Sequence, residues 1–137
     1  MSWFRSRRGP ELPPLPEAPK VADLPEARLQ SAGRYLGTTA DGVKVTAQGL
    51  GGHSSVRVLL SDEALDVVRL AGPIRIPVPA LRGARHQDDA IVISWQHGEQ
   101  LLETTLRLTD DPSLPGAPGD KHGTWVRRIS KLARRRP

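Results

Sequence analysis

Residues 91–108 read IVISWQHGEQLLETTLRL and contain the clearest β-hairpin pattern of this 137-residue chain. Two strand-like runs, 91–95 and 100–108, flank a turn at His97-Gly98, and Leu106 and Leu108 alternate with Arg107 in the second run. Alternation with a period of two places one side chain in the core and the next in solvent, which is typical of half-buried strands. The stretch therefore predicts two neighbouring antiparallel strands.

Five further strand-like runs precede this hairpin, at residues 34–38, 43–48, 56–60, 65–70 and 74–78. Asp41-Gly42 is a strong hairpin-turn signal between the first two runs. Pro77 cannot donate a hydrogen bond to a neighbouring strand, so the run that contains it should lie at a sheet edge. Residues 80–89 are interpreted as a polar connector, with a helical turn at 79–82. Seven strands with short links predict a mainly β, antiparallel barrel or sandwich.

One basic amphipathic helix is predicted at the C-terminus. Its apolar residues follow the spacing i, i+4, i+7, i+8 and form one stripe, made of Trp125, Ile129, Leu132 and Ala133. Its basic residues point in other directions. We expect this helix to cap the seven-stranded fold and to bury Trp125, which would contribute about 2–3 kcal/mol.

Charge is distributed unevenly along the chain, whose net charge is +5. Residues 11–119 hold ten basic and 14 acidic residues, so the middle is net −4 and both ends are basic. Prolines recur from Pro10 to Pro25 and favour an extended linker. We predict a basic, proline-rich, juxtamembrane-like linker at 1–32, a folded domain at 33–134 and a basic tail at 135–137.

No group of residues predicts catalysis, metal binding or cofactor binding. The chain has no cysteine, which excludes thiolate sites and a disulfide-built scaffold. Histidines 53, 86, 97 and 122 fall in predicted turns and loops without the spacing of a metal site. His53-Ser54-Ser55 lacks the context of a hydrolytic nucleophile, and residues 49–52 lack the helix that follows a phosphate loop. We therefore expect a non-enzymatic protein with no small-molecule substrate.

The basic ends of the chain predict an anionic partner. Trp3 and Phe4 beside arginines resemble the interfacial edge of a membrane segment. The residues expected to bind lipid or another anion are Arg5, Arg7, Arg8, Arg134, Arg135 and Arg136. The alternative is a nucleic-acid-binding accessory protein that uses the basic C-terminal helix. Against this alternative stand the acidic middle and the few aromatic residues available for base stacking.

Several segments resemble one known family. They are residues 35–39 (YLGTT), 49–51 (GLG), 76–83 (IPVPALRG), 91–95 (IVISW) and 101–104 (LLET). Together they resemble the PH-like domain family of actinobacterial membrane proteins, which are often labelled export or membrane proteins and are frequently encoded among pyrimidine-biosynthesis genes. The resemblance covers residues 33–134 and implies a PH-like barrel. Typical members also have an N-terminal membrane helix, whereas this chain begins at what resembles their juxtamembrane segment.

The resemblance implies an interaction or scaffolding module at the cytoplasmic face of the membrane. Basic residues directly after a membrane helix would place the domain in the cytoplasm. The expected location is the cytoplasmic side of the inner membrane, or the cytoplasm if no membrane helix precedes Met1. The expected partners are an anionic membrane surface and an unidentified protein, which an exposed strand edge or loop rim could receive by strand addition.

Overall fold

The computed structural model describes residues 14–18, 24, 26–109 and 121–134, which form eight β-strands and one α-helix. The strands are β1 (Leu29–Ala40), β2 (Val43–Lys44), β3 (Ser54–Leu60), β4 (Ala64–Val68), β5 (Ile74–Pro77), β6 (Leu81–Gln87), β7 (Ala90–His97) and β8 (Gln100–Thr109). The helix α1 spans Lys121–Arg134. Two short 3-10 helices, Ala47–Gly49 and Val78–Ala80, precede β3 and β6.

The strands form one antiparallel sheet in the order β5-β4-β3-β1-β8-β7-β6, and β2 pairs with the end of β1. The sheet is open, with β5 and β6 as its two edges. The predicted mainly β, antiparallel fold with one C-terminal helix is confirmed. The edge position of β5 is confirmed as well, because Pro77 ends this strand.

Two of the predicted elements were wrong. Only Val43–Lys44 of the run predicted at 43–48 pairs as a strand, because the chain then turns into the Ala47–Gly49 helix. The predicted connector at 80–89 is mostly strand β6, which a two-residue turn at Asp88-Asp89 joins to β7. Asp88 has a φ of 56°, the left-handed conformation that such hairpin turns need.

The helix α1 completes the core that the inner face of the sheet begins. It buries the four residues of the predicted stripe, Trp125, Ile129, Leu132 and Ala133. Trp125 is only 3% exposed, so the prediction that it belongs to the core is confirmed. The helix packs against β6 and the Val78–Ala80 helix, next to one edge of the sheet.

Hydrogen bonds show the direction in which α1 crosses the sheet. The backbone N–H of Leu108, near the end of β8, donates to Nε2 of His122 at 3.1 Å. Eight residues further along the helix, the Ser130 hydroxyl lies 3.5 Å from the Ala84 carbonyl oxygen of β6. α1 therefore runs from the end of β8 along β6, and it also contacts the Val78–Ala80 helix, whose Val78 N–H donates to the Glu63 carbonyl between β3 and β4. The turns at 41–42 and 98–99 lie at the end of β1 and the start of β8, and we call this end of the sheet the loop end.

One ion pair on the outer face gives the domain a pH-dependent stability. The Glu103 carboxylate accepts hydrogen bonds from Arg85 and Ser94, and chiefly the bond from Arg85 lowers the pKa of Glu103. A lowered folded-state pKa stabilises the protein above the unfolded pKa of 4.5, and this stabilisation is lost as the pH falls through the folded value.

We therefore expect Glu103→Gln to lower the free energy of unfolding by about 0.5 kcal/mol at pH 7, as is usual for a partly exposed pair. The difference from the unsubstituted protein should shrink as the pH falls below 4.5. Urea unfolding at several pH values measures both quantities. A difference that stays constant across this range would contradict the assignment.

Candidate functional site

The predicted anion-binding arginines are only partly covered by the structure. Arg134 is the last residue of α1 and is exposed. Arg5, Arg7, Arg8, Arg135 and Arg136 lie outside the described residues. The prediction for these five therefore remains a prediction.

The outer side of α1 is a positively charged surface, which we call the cationic face. It consists of four exposed side chains, Arg127, Arg128, Lys131 and Arg134. Residues 121–134 contain no aspartate or glutamate that could neutralise them along the helix. Lys131 and Arg134 also lie in the last turn, where positive charge suits the negative end of the helix dipole. Because the buried stripe fixes the rotation of α1, these cations point outward together.

A buried chain of hydrogen bonds holds the backbone at the loop end. The Tyr35 hydroxyl contacts the Leu50 carbonyl oxygen and lies 2.7 Å from the Thr38 hydroxyl. The Thr38 and Thr104 hydroxyls are 2.9 Å apart, and the Trp95 indole N–H donates to Thr104 at 3.0 Å. The chain thus links β1, β7 and β8 to the segment before β3.

The two ends of this chain determine the direction of every donor. An indole N–H can only donate and a carbonyl oxygen can only accept. Trp95 therefore donates to Thr104, Thr104 to Thr38, Thr38 to Tyr35 and Tyr35 to the Leu50 carbonyl. Such aligned bonds polarise one another in a low-dielectric interior. Burial is the main reason why the pKa of Tyr35 is raised above 10.0, so this hydroxyl keeps its proton.

The Arg69 side chain joins two loops beside this chain. It is 9% exposed, and its Nε donates to the Gly72 carbonyl at 2.7 Å. Its Nη2 donates to the Gly49 carbonyl, and the guanidinium lies 4.9 Å from the centre of the Tyr35 ring. Arg69 therefore fixes the turn between β4 and β5 to the Ala47–Gly49 helix.

The cavities of the described surface include two that differ in their chemistry. A cleft of about 130 Å³ at the loop end is lined by residues that include Lys44, Gly51, Gly52 and His53. A wider one of about 410 Å³ is lined by residues 26–28 and 61–63, among them three carboxylates. Its acidic lining is unsuited to the anions that the sequence predicts as partners.

Three of the histidines do not lie where the sequence predicts them. His86 and His97 belong to strands and His122 to α1, whereas only His53 lies in a loop. The rings of His86 and His122 stack with their centres 5.1 Å apart. These two histidines belong to β6 and α1, which are far apart in the sequence, so no local spacing could have predicted their contact. Among the described residues, no group of three or more possible ligands that could hold a metal ion is found.

Most of the chain matches one known protein family. Residues 10–118 match the bacterial PH domain-like family, a region that includes all eight strands. The chain belongs to this family. PH-like domains are generally non-catalytic interaction modules that commonly bind lipids or proteins. None of the curated proteins compared with the chain matches it.

Membership of this family does not show that the PH-like domain binds a membrane, so membrane association stays a prediction. The resemblance found in the sequence is confirmed at the level of the domain family. Across the described parts of the chain, no helix combines the length and apolar character that a membrane span requires. α1 itself, at 14 residues, is a surface helix with one buried side.

Proposed function

We propose that this PH-like domain is a non-catalytic interaction module that attaches to an anionic membrane surface through the cationic face of α1. The observation that supports the proposal is the array of four exposed cations on one packed helix without an acidic neighbour along it. Each well-placed cation near an anionic bilayer contributes about 1 kcal/mol. Arg135 and Arg136 continue the array in sequence, and Arg5, Arg7 and Arg8 belong to the same proposal.

The cytoplasmic leaflet is the membrane surface that suits this chemistry. Anionic lipids give that leaflet a negative surface potential, which attracts basic segments over about a Debye length. We therefore place the domain at the cytoplasmic side of the inner membrane, or in the cytoplasm with reversible binding if no membrane helix precedes Met1.

Base stacking separates this proposal from the nucleic-acid alternative. Single-stranded nucleic acids bind through aromatic side chains as well as positive charge. Tyr35, Trp95 and Trp125 are the tryptophan, tyrosine and phenylalanine residues of the described part, and all three are buried. The cationic face therefore offers charge without an exposed ring from this group, which favours a lipid surface.

Both sheet edges are protected, which makes strand addition by a protein partner unfavourable. Prolines 73, 77 and 79 surround β5 and remove backbone donors there. α1 lies beside β6, where Ser130 approaches the Ala84 carbonyl and His122 stacks on His86. A protein partner would therefore bind side chains at the surface.

The experiment is sedimentation with vesicles of phosphatidylcholine, with and without 30% phosphatidylglycerol. A helix variant changes Arg128, Lys131 and Arg134 to Gln, and a matched control changes the exposed Arg28, Arg34 and Arg57 to Gln. We expect the helix variant to bind the anionic vesicles roughly 100-fold more weakly, since three cations contribute about 1 kcal/mol each. The control should bind within about threefold of the unsubstituted protein.

Two outcomes would overturn the proposal. Equal losses in both variants would mean that net charge alone governs binding, and unchanged binding of the helix variant would remove α1 from the contact. Competition by RNA at equal charge concentration tests the alternative. Complete displacement from vesicles by RNA, with tighter binding to RNA itself, would favour the nucleic-acid function.

A further inference from the structure

Two arginines lie directly opposite each other on the outer face of the sheet. Arg34 of β1 pairs with Arg107 of β8, and paired residues of antiparallel strands share one face. The next residue, Tyr35, is buried in the core, so Arg34 points outward, where it is exposed. Like charges in directly opposite positions destabilise a sheet. The pair is therefore unfavourable for the isolated domain.

Acidic side chains of the described residues neutralise only one of these two arginines. Nε of Arg107 lies 3.1 Å from the Asp89 carboxylate. Glu103, four residues earlier on the same face of β8, is paired with Arg85. Among the described residues, no carboxylate forms an ion pair with Arg34. The outer face therefore presents a guanidinium whose charge no described carboxylate balances.

Polar side chains of β3 extend this positively charged area. Ser55 lies opposite Arg34 on the other side of β1, so Arg107, Arg34 and Ser55 form one row across three strands. Arg57 is exposed two residues further along β3, on the same face as Ser55. We call Arg34, Ser55, Arg57 and Arg107 the sheet-face cluster. An anion at Arg34 would have guanidinium N–H groups on one side and a hydroxyl group on the other.

The strands below the sheet-face cluster are held on both sides. β1 is hydrogen-bonded to β8 along one side and to β3 along the other. A Cβ at Gly33 would lie 2.8 Å from the Arg107 carbonyl oxygen, so glycine permits the close approach of β1 to β8. A register shift between Tyr35 and Gly37 follows directly after Arg34, and such bulges redirect neighbouring side chains. A backbone that is fixed in advance reduces the conformational entropy lost on binding.

The position of the sheet-face cluster separates it from the proposed lipid contact. Guanidinium groups bind carboxylates and phosphates through paired N–H donors. The core cluster includes Tyr35 of β1 and Trp125 of α1, so the core lies between the sheet-face cluster and the cationic face. A bilayer that contacts the outer side of α1 is therefore on the far side of the core.

The charge of the rest of the domain selects a short ligand. Residues 11–119 have a net charge of −4, which repels a long polyanion such as a nucleic acid. Tyr35, Trp95 and Trp125, which could stack on bases, are buried. A short acidic segment of a protein meets only the local positive charge and supplies the carboxylate that Arg34 lacks.

We infer that the sheet-face cluster binds a short acidic segment of a partner protein, with Arg34 as the central contact. Arginine is one of the residue types that contribute most to binding at protein interfaces. The inference goes beyond the proposed membrane attachment, since it uses neither α1 nor the chain ends. It gives the domain a second partner on the side of the core away from α1.

Fluorescence anisotropy with a labelled peptide of alternating glutamate and serine tests this binding. The same peptide with glutamine in place of glutamate is the uncharged probe. We expect Arg34→Gln to weaken binding of the acidic peptide roughly tenfold, because charge-assisted hydrogen bonds are lost. Arg128→Gln removes the same charge from the exposed side of α1 and should bind within about twofold of the unsubstituted protein. Arg34→Lys should lie between the two, since lysine keeps the charge but lacks the planar fork.

The stability of Arg34→Gln distinguishes a binding residue from a structural one. Removing one of two opposed like charges should leave the urea unfolding midpoint unchanged or raise it. A lower midpoint would show that Arg34 stabilises the fold, which would contradict a pair that is unfavourable without its ligand.

Four results would overturn the inference. One is equal weakening by Arg34→Gln and Arg128→Gln, because net charge alone would then govern binding, and another is equal binding of the glutamate and glutamine peptides. Tighter binding of a uridine oligonucleotide than of the acidic peptide, lost in Arg34→Gln, would assign the cluster to nucleic acid. Loss of vesicle sedimentation in Arg34→Gln would place the cluster at the bilayer. Vesicle binding without peptide binding would overturn this inference and leave the proposed function standing.

Discussion

Replacing Trp125 with alanine is expected to lower the free energy of unfolding by about 3–5 kcal/mol, the usual cost of removing a large buried aromatic side chain. Trp125 is 3% exposed and belongs to the main core cluster. Small domains are stable by about 5–15 kcal/mol, so this single change would remove a large part of the total. Losing the tryptophan side chain should also weaken the packing of α1, so that the cations of the cationic face are no longer held together on one surface.

Urea unfolding followed by circular dichroism measures the effect. Trp125→Phe should recover more than half of the loss, since it keeps an aromatic ring in the same space. Arg128→Ala, on the exposed side of the same helix, should change stability by less than about 0.5 kcal/mol. An unchanged unfolding midpoint for Trp125→Ala would mean that α1 is not part of the cooperative core.

The success of the sequence-based predictions depended on how many side chains of an element are buried. The stripe of α1 and strand β8 place residues in the core at a regular period, and β7 forms a mostly buried apolar run beside β8, so these elements could be recognised from the sequence. β6 buries only Leu81 fully, and its place comes from pairing with β7. A polar edge strand with one buried residue has no alternation from which it could be recognised.

The run at 43–48 failed for a different physical reason. Val43 and Val45 alternate with polar residues as in a strand, yet Val43 is half exposed and Val45 is buried. The Val45 N–H donates one more hydrogen bond to β1, at the Thr38 carbonyl, and the chain then turns into the Ala47–Gly49 helix. Alternation over so few residues does not distinguish a strand from a turn with one buried side chain.

The candidate sites could be predicted only where they are local in sequence. Arg134 was identified because basic residues cluster at the chain end, and its neighbours on α1 follow from helical spacing. Arg34 and Arg107 belong to two separate strand-like runs of the sequence, and only the pairing of β1 with β8 brings them side by side. The contact of Arg69 with Gly49 joins residues 20 positions apart, which no local pattern indicates.

Tyr35→Phe is expected to lower the free energy of unfolding by about 2–3 kcal/mol. The change leaves the buried Leu50 carbonyl without its donor and removes the acceptor of Thr38, and an unsatisfied buried polar group costs about 1–3 kcal/mol. Because the folded pKa of Tyr35 is raised, its stabilisation is present below pH 10.0 and is lost as the pH rises through the folded value. Stability of the phenylalanine variant should lack this alkaline component.

A double-mutant cycle shows whether the chain acts as a unit. Thr104→Val interrupts it in the middle, leaving the Trp95 indole N–H without an acceptor, and should cost about 1–3 kcal/mol alone. Once either change has broken the alignment, the second removes bonds that are already weakened, so the combined loss should be smaller than the sum by at least about 0.5 kcal/mol. Thr105→Val, the neighbouring residue on β8, should combine additively with Tyr35→Phe. Additive losses for Tyr35 and Thr104 would show that the hydrogen bonds act independently, and the direction deduced from Trp95 to Leu50 would then have no energetic consequence.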